Sequence, residues 1–232
     1  MTNYDAILFD LGNTLVSYYQ RDQFPIILRE SLSGVLMAAG VSSHQVDLDD
    51  LLQAALRLNR EREDHMVWPL SERLHTLMKE YRPAQALPME TMVEAFLQPI
   101  FQCAHLDKDA TTILDELRKR SIRTAIVSNT PWGSPAEPWR RELARHGLLE
   151  RCDAVVFCVE VGWRKPHKAP FHRALELIEC DAARSAFVGD NPRWDVIGAR
   201  ESGLTPILIT QDIPPDPHCQ VIKELRHLIE VL

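Results

Sequence analysis

No run of apolar residues in this chain approaches the ~18–20 needed to cross a bilayer, so no membrane span is expected. The opening residues, Met1-Thr2-Asn3-Tyr4-Asp5, lack a basic segment, and the apolar run after them is too short for a signal peptide. There is no C-x-x-C pair and no Cys/His spacing of a zinc site. The five cysteines (Cys103, Cys152, Cys158, Cys180 and Cys219) are odd in number and read as reduced, buried thiols of a cytoplasmic protein. Low-complexity tracts are absent as well. Nor is there an excess of positive charge: the net charge of -7 argues against nucleic acid or an anionic membrane as the main partner. It leaves room for a phosphorylated small molecule, which one local cluster of cation and backbone N–H groups can bind.

What is present is a series of short apolar runs. Ala6-Ile7-Leu8-Phe9 ends abruptly on Asp10, and Leu11-Gly12-Asn13-Thr14-Leu15 follows as a turn. Four similar runs start at Arg123, Ala154, Ser185 and Pro206 and end at Ser128, Val159, Asp190 and Thr210. Rich in Val and Ile and not alternating, they suit strands buried on both faces of a parallel sheet. Helical spacing separates them. Asp107 is placed to cap a helix with Ala110, Ile113, Leu114 and Leu117 on one face, and Phe171, Ala174, Leu175 and Ile178 repeat the pattern. Further helices are read at about 138–149 and 193–201. The fold expected is α/β: a doubly wound, mainly parallel five-stranded Rossmann-like sheet.

The alternation fails from about residue 17 to 96, where helical stretches occur without a convincing strand. Leu51, Leu52, Ala55 and Leu58 share one face, Leu70, Leu74, Leu77 and Met78 another, and Met92, Val93, Phe96 and Leu97 a third. Residues 17–96 are therefore read as an all-helical cap inserted after the first strand, and residues 1–16 and 97–232 as the core. An insert at that point stands over the C-terminal edge of the sheet, where it can act as a lid.

That edge collects the chemistry. Asp10 ends the first strand, Ser128-Asn129-Thr130 the second and Gly189-Asp190 the fourth, while Lys165-Pro166 follows the third and Asp195 lies five residues beyond Asp190. Parallel strands converge these ends on one crevice. Two carboxylates with carbonyl and water oxygens suit Mg²⁺, a hard cation that prefers oxygen. A carboxylate can also attack phosphorus. Ser128 and the Asn129 N–H can bind phosphoryl oxygens, and Lys165 adds positive charge where negative charge gathers.

Phe9-Asp10-Leu11-Gly12-Asn13-Thr14-Leu15, Ser128-Asn129, Lys165-Pro166 and Gly189-Asp190-Asn191-Pro192-Arg193-Trp194-Asp195 resemble, in order, the four motifs of the haloacid dehalogenase superfamily. The resemblance covers nearly the whole chain, and the insert is similar to that family's C1-type cap. Most members are phosphatases, so the resemblance implies a Mg²⁺-dependent hydrolase of a small phosphomonoester, a sugar phosphate or similar metabolite. It implies Asp10 as nucleophile and metal ligand, the Gly12 carbonyl and Asp190 as further ligands, Ser128 and Asn129 as phosphate binders, and Lys165 as the cation steadying Asp10 and the phosphoryl group. Asp195 is implied to orient metal waters or Lys165; stabilising the first turn of the following helix is its alternative role.

Gly12 is the departure. Family phosphatases usually carry a second Asp there as general acid and base, and its loss costs roughly 10²–10⁴-fold in rate if nothing substitutes. Another group can serve; the protein can be a metal-independent haloacid dehalogenase; or it can be a non-catalytic member that binds a phosphorylated ligand. Some family sugar phosphatases resemble this chain with a Gly-Asn pair at this spot, which favours the first. The acidic Asp190–Asp195 cluster and the Asp-Leu-Gly-Asn-Thr form of the first motif speak against the second. Tyr18, Tyr19, Arg21 and Trp132 are placed either to touch substrate or to pack. His65 and His75 in the insert are candidates for the missing proton carrier or solvent-facing residues. Arg57, Arg60 and Arg62 with Glu61 and Glu63 read as a solvated helix face.

Overall fold

Ala6–Phe9 (β1) is buried at every position, as a run without alternation requires. In the computed structural model, which describes residues 4–20, 22–41, 46–59, 61–79, 88–212 and 219–232, β1 lies at the centre of a parallel sheet. The short pair Val16–Ser17 (β2) and His105–Leu106 (β3) stands apart from it. The main sheet continues with Arg123–Ser128 (β4), Ala154–Phe157 (β5), Ser185–Gly189 (β6), Thr205–Ile209 (β7) and Gln220–Ile222 (β8). Its spatial order is β5-β4-β1-β6-β7-β8, the doubly wound order in which the chain reverses direction beside the first strand. Phe9 pairs with Ile126 on one side and Val188 on the other, so Asp10, Ser128 and Asp190 emerge at the same edge.

The sheet has six strands where five were expected. Val221 and Ile222 form too short an apolar stretch to stand out in the sequence. As an edge strand they pair in parallel with Leu208 and Ile209, and Gln220 pairs with Ile207. The third expected strand also stops early, at Phe157. Glu160 accepts a hydrogen bond from the Phe157 N–H at 2.8 Å and pairs with Arg140 at 2.6 Å, which turns Cys158–Val161 into a helical turn.

Two helical layers cover the sheet. Ile113, Leu114 and Leu117 of the helix Ala110–Lys119 join the cluster containing Ile7, Phe9 and Ile126. Phe171, Ala174, Leu175 and Ile178 of the helix Lys168–Ile178 pack with Ala6, Leu8, Ala125 and Val127. Alternate residues of each strand thus feed opposite layers. Asp107 does not cap the first of these helices directly. Its carboxylate accepts the Asp109 N–H at 2.8 Å and shapes the turn before it. The helix expected at 138–149 spans Ala136–Arg145, and the stretch at 193–201 is a π-helical turn, Pro192–Ile197, continuing into Gly198–Glu201. None of the five cysteines is in a disulfide. Among the described residues no helix is long and apolar enough to cross a membrane.

The insert enters through β2 and leaves through β3, which pair antiparallel. Between them lie Phe24–Ala38 (α1), Leu48–Leu58 (α2), Leu70–Met78 (α3) and Met89–Gln102 (α4). Leu70, Leu74, Leu77 and Met78 are buried along α3, and Val93, Phe96 and Leu97 along α4; on α2 only Leu51 and Ala55 are buried. The segment between α2 and α3 docks on the core by its backbone. Met66 bridges Trp163, the Val67 N–H donates to the Gly162 carbonyl at 2.9 Å, and the Arg164 N–H donates to the His65 carbonyl at 2.8 Å.

Candidate active site

A buried lysine organises the C-terminal edge of the sheet. Lys165, 2 % exposed, places Nζ 2.6 Å from Asp10 Oδ1, 2.8 Å from Asp195 Oδ1 and 2.9 Å from the Val127 carbonyl. Its backbone is clamped by one side chain. Asn129 accepts the Lys165 N–H through Oδ1 at 2.8 Å and donates to the Lys165 carbonyl through Nδ2 at 3.1 Å. An amide matched to both groups of a peptide in this way fixes the lysine's position along the chain.

The acids surround that ammonium. One carboxylate oxygen from each of Asp10, Asp190 and Asp195 lies within 4.8 Å of the others. Asp195 is buried on the π-helical turn, and its second oxygen accepts the Asn191 N–H at 3.0 Å. Gly189 makes this approach possible: a Cβ there would sit 2.4 Å from the Asp195 carboxylate. Asn191 in turn caps the turn through its side chain, accepting the N–H groups of Arg193 and Trp194 at 3.0 Å.

Three carboxylates and one ammonium leave an excess of negative charge, and the protonation energetics show it. Burial first, then the neighbouring Asp195 and Asp190, push the Asp10 carboxyl up to about 7 against the pull of Lys165. Burial and Asp195 push Asp190 up to about 6, with Lys165 and Asn13 opposing. Burial alone would weaken the Lys165 ammonium, but Asp10 and Asp195 outweigh it and hold the amine above its ordinary value. A cluster with these properties has room, in charge and in oxygen ligands, for a hard cation.

Two adjoining cavities open beside the cluster. The smaller, ≈ 140 Å³, is lined by Gly12, Asn13, Tyr18, Tyr19, Ser128, Asn129 and Trp139, among others. The larger, ≈ 340 Å³, shares Tyr19, Asn129 and Pro131 and extends to Glu61, Arg73, Trp132, Arg164 and Trp194. A Cβ at Gly12 would meet nothing within 4 Å, so the absence of a side chain there is not imposed by crowding.

Residues 4–203 match the sequence pattern of the haloacid dehalogenase-like hydrolases. The chain belongs to that family. A glyceraldehyde 3-phosphate phosphatase from Methanothermobacter thermautotrophicus is 28% identical over 212 residues, covering 90% of this chain and 86% of the relative. In structure, a HAD phosphatase from Thermococcus onnurineus superposes with a TM-score of 0.68 at 21% identity, over 98% of this chain and 97% of that one. A 2-haloacid dehalogenase from Pseudomonas syringae pv. Tomato DC3000 superposes with a TM-score of 0.70 at 19% identity and the same coverage. Phosphatase and dehalogenase share the fold about equally, so the fold does not choose between their reactions.

For this haloacid dehalogenase-like hydrolase the remaining sequence candidates divide. Asp195 touches Lys165 and stands in the first turn of a helix. Tyr18 is wedged edge-on against Trp139 at 5.5 Å with a buried hydroxyl that has no partner among the described residues. Trp132 both lines the larger cavity and packs on Phe96 at 5.2 Å. His65 serves through its backbone, and His75 is exposed on α3. Arg21 and Arg60 lie outside the described residues. The helix-face reading of 57–63 fails for Glu61, which is exposed as expected but lies beyond the helix. Helix α2 ends at Leu58, and Glu61 turns into the larger cavity, 3.7 Å from Arg164 and 3.9 Å from Arg193. Arg164 and Arg73 escaped the sequence reading altogether. Only the adjacency of Arg164 to Lys165 offered a signal.

Proposed function

We propose that this hydrolase is a Mg²⁺-dependent phosphatase that cleaves a small phosphomonoester through an aspartyl-phosphate on Asp10. The observation that carries this reading is the Lys165 ammonium held between Asp10 and Asp195, with Asp190 completing the acidic cluster. Asp10, Asp190 and the Gly12 carbonyl would hold the metal, with Asp195 orienting Lys165 beside it. Bound there, Mg²⁺ supplies the charge that lets a carboxylate meet a phosphate and polarises the phosphoryl oxygens.

The protein's own groups account for the rest. Lys165 aligns one Asp10 oxygen by the 2.6 Å contact and leaves the other oxygen to attack phosphorus. As the Asp10–phosphorus bond forms, the ester P–O bond breaks, and the leaving oxygen takes up a proton. Water then attacks phosphorus, releasing phosphate and restoring the Asp10 carboxylate. Ser128, buried at the end of β4, and the Asn129 N–H bind the phosphoryl oxygens. With no carboxylic acid at position 12, the leaving oxygen draws its proton from elsewhere, so poor leaving groups are the harder substrates.

The stretch between β2 and β3 acts in this reading as the cap; it runs past the expected limit of 17–96 because α4 continues to Gln102, and the rest of the chain is the core. Cavities of ≈ 140 and ≈ 340 Å³ suit a metabolite of a few carbons. The similarity to a glyceraldehyde 3-phosphate phosphatase supports a sugar phosphate or similar compound.

Phosphate release from p-nitrophenyl phosphate and a panel of small phosphomonoesters tests the proposal. Activity should need Mg²⁺, stop with chelator and vanish in Asp10→Asn. Halide release from 2-chloropropionate without metal would replace it with the dehalogenase reading. Folded protein that binds Mg²⁺ but turns over no phosphate ester would remove the enzymatic reading.

A further inference from the structure

Arg73 is a buried cation without a counter-ion. It is 5 % exposed, and among the described residues no carboxylate lies within ion-pair distance of it. Buried charges are paired as a rule, because desolvation is otherwise too costly. Its Nε donates to the Trp68 carbonyl at 3.1 Å and its Nη1 to the Leu58 carbonyl at 2.6 Å. Trp68 and Trp132 lie 4.9 and 5.5 Å from the guanidinium carbon. These contacts fix the guanidinium in place. They leave Nη2 without a hydrogen bond among the described residues and the positive charge without a partner.

Arg73 also lines the larger cavity together with a second guanidinium, Arg164. Arg164 spends Nη1 on the Thr130 carbonyl at 3.0 Å, and its Nε is buried without a hydrogen-bond partner among the described residues. Burial and then the neighbouring Arg164 pull Arg73 down to about 10, which still leaves it charged at neutral pH. The one carboxylate that lines the cavity among the described residues, Glu61, stands 3.7 Å from Arg164. The other cation near Glu61, Arg193, is 63% exposed and therefore solvated. Arg73, buried, and Arg164, with 13% of its side chain exposed, face one lining carboxylate among the described residues, which leaves one positive charge uncompensated. Because Arg164 precedes Lys165, and Asn129 lines both cavities, this charge lies within reach of a small molecule whose phosphoryl group is at Asp10.

We propose that Arg73 and Arg164 form a subsite for a carboxylate carried by the leaving portion of the substrate, so that the preferred substrate is a phosphorylated carboxylic acid. Guanidinium forks match a carboxylate in geometry. The single uncompensated charge fits a monoanion rather than a second phosphate. The proposal rests on the phosphatase reading for where the phosphoryl group binds.

The test uses phosphonates, which are not hydrolysed, and calorimetry on the Mg²⁺-loaded full chain. The wild-type protein should bind 3-phosphonopropionate at least about tenfold more tightly than butylphosphonate, the return of one charge-assisted contact. A bisphosphonate of the same length should show no such gain. Arg73→Met should lower the affinity for 3-phosphonopropionate to that for butylphosphonate, and Arg73→Lys should restore part of the preference. Glu61→Gln, which keeps Arg73 in place, should tighten 3-phosphonopropionate about three- to tenfold by removing a like charge. Equal binding of the two phosphonates by the wild type, or a preference that survives Arg73→Met, overturns the subsite and leaves the phosphatase reading standing. A bisphosphonate bound more tightly than the carboxylate reassigns the subsite to phosphate. If neither phosphonate binds, the phosphatase reading falls and the subsite with it.

Discussion

Replacing Lys165 by Met removes the only ammonium in contact with the acidic cluster among the described residues and changes side-chain volume little. Because Lys165 is 2 % exposed, no water takes the place of its charge. Asp10 and Asp195 lose ion pairs of 2.6 and 2.8 Å, and the Val127 carbonyl loses a donor at 2.9 Å. Breaking a buried pair by removing one partner costs about 3–5 kcal/mol. In a chain of this size each kcal/mol moves the melting temperature by about 2–4 °C, so the expected fall is about 6–20 °C. The loss should depend on pH. Asp10 and Asp190 already titrate at about 7 and about 6, against an ordinary 3.8. Carboxyls raised in this way stabilise the fold fully below about pH 4, and that stability is lost as pH rises through 6 to 7. Without the ammonium they rise further, so the deficit of the variant grows between pH 5.5 and pH 8. Mg²⁺ should return a larger share of stability to Lys165→Met than to the wild type. Thermal denaturation at both pH values, with and without Mg²⁺, measures all of this. A deficit below about 1 kcal/mol, or one indifferent to both pH and Mg²⁺, would refute the electrostatic account of the site.

Two further outcomes follow from the same geometry. Gly12→Asp places a side chain in open space and should fold normally; if proton delivery limits turnover, kcat for substrates with poor leaving groups rises by about 10²–10⁴-fold, while p-nitrophenyl phosphate gains much less. A folded variant with no such contrast would show that position 12 is not where the proton is missing. Mg²⁺ binding should weaken as pH falls below about 6 to 7, by up to about tenfold per pH unit for each proton displaced from Asp10 or Asp190. Titration calorimetry at pH 5.5, 6.5 and 7.5 reads the slope, and a flat profile counts against these carboxyls as ligands.

The sheet was legible because its strands announce themselves: short apolar runs, each followed by a polar residue or a turn. The convergence of Asp10 and Asp190 then follows from parallel pairing alone, whereas Lys165, beyond the end of β5, is held there by Asn129. Where reading failed, a long-range contact had overruled a local pattern. Cys158 and Val159 look like the end of a strand until Glu160 caps the Phe157 N–H and bends the chain. Asn129 looks like a phosphate ligand through its N–H, yet its side chain reaches 36 residues along the chain to clamp Lys165. Glu61 sits among arginines that suggest a solvated helix, yet α2 ends at Leu58 and Glu61, still exposed, lines the larger cavity beside Arg164. Arg73 carries no sequence signal of its own, because an arginine on an amphipathic helix is ordinary until its burial is known.

The backbone pairing of residues 65–67 with 162–164 bears on how often the site is accessible. It joins the insert to the segment that ends at the ammonium-bearing residue, through the bonds from Val67 to Gly162 and from Arg164 to His65. Lifting the insert away on that side breaks both, and two such bonds are worth together about 1–3 kcal/mol. In the lid reading, that alone holds the open population to between roughly one molecule in six and one in 160, and apparent affinities measured from outside are weakened by the same fraction. A ligand held inside meets the reverse situation: the bonds that ration entry also hold Lys165 in register while the insert stays down.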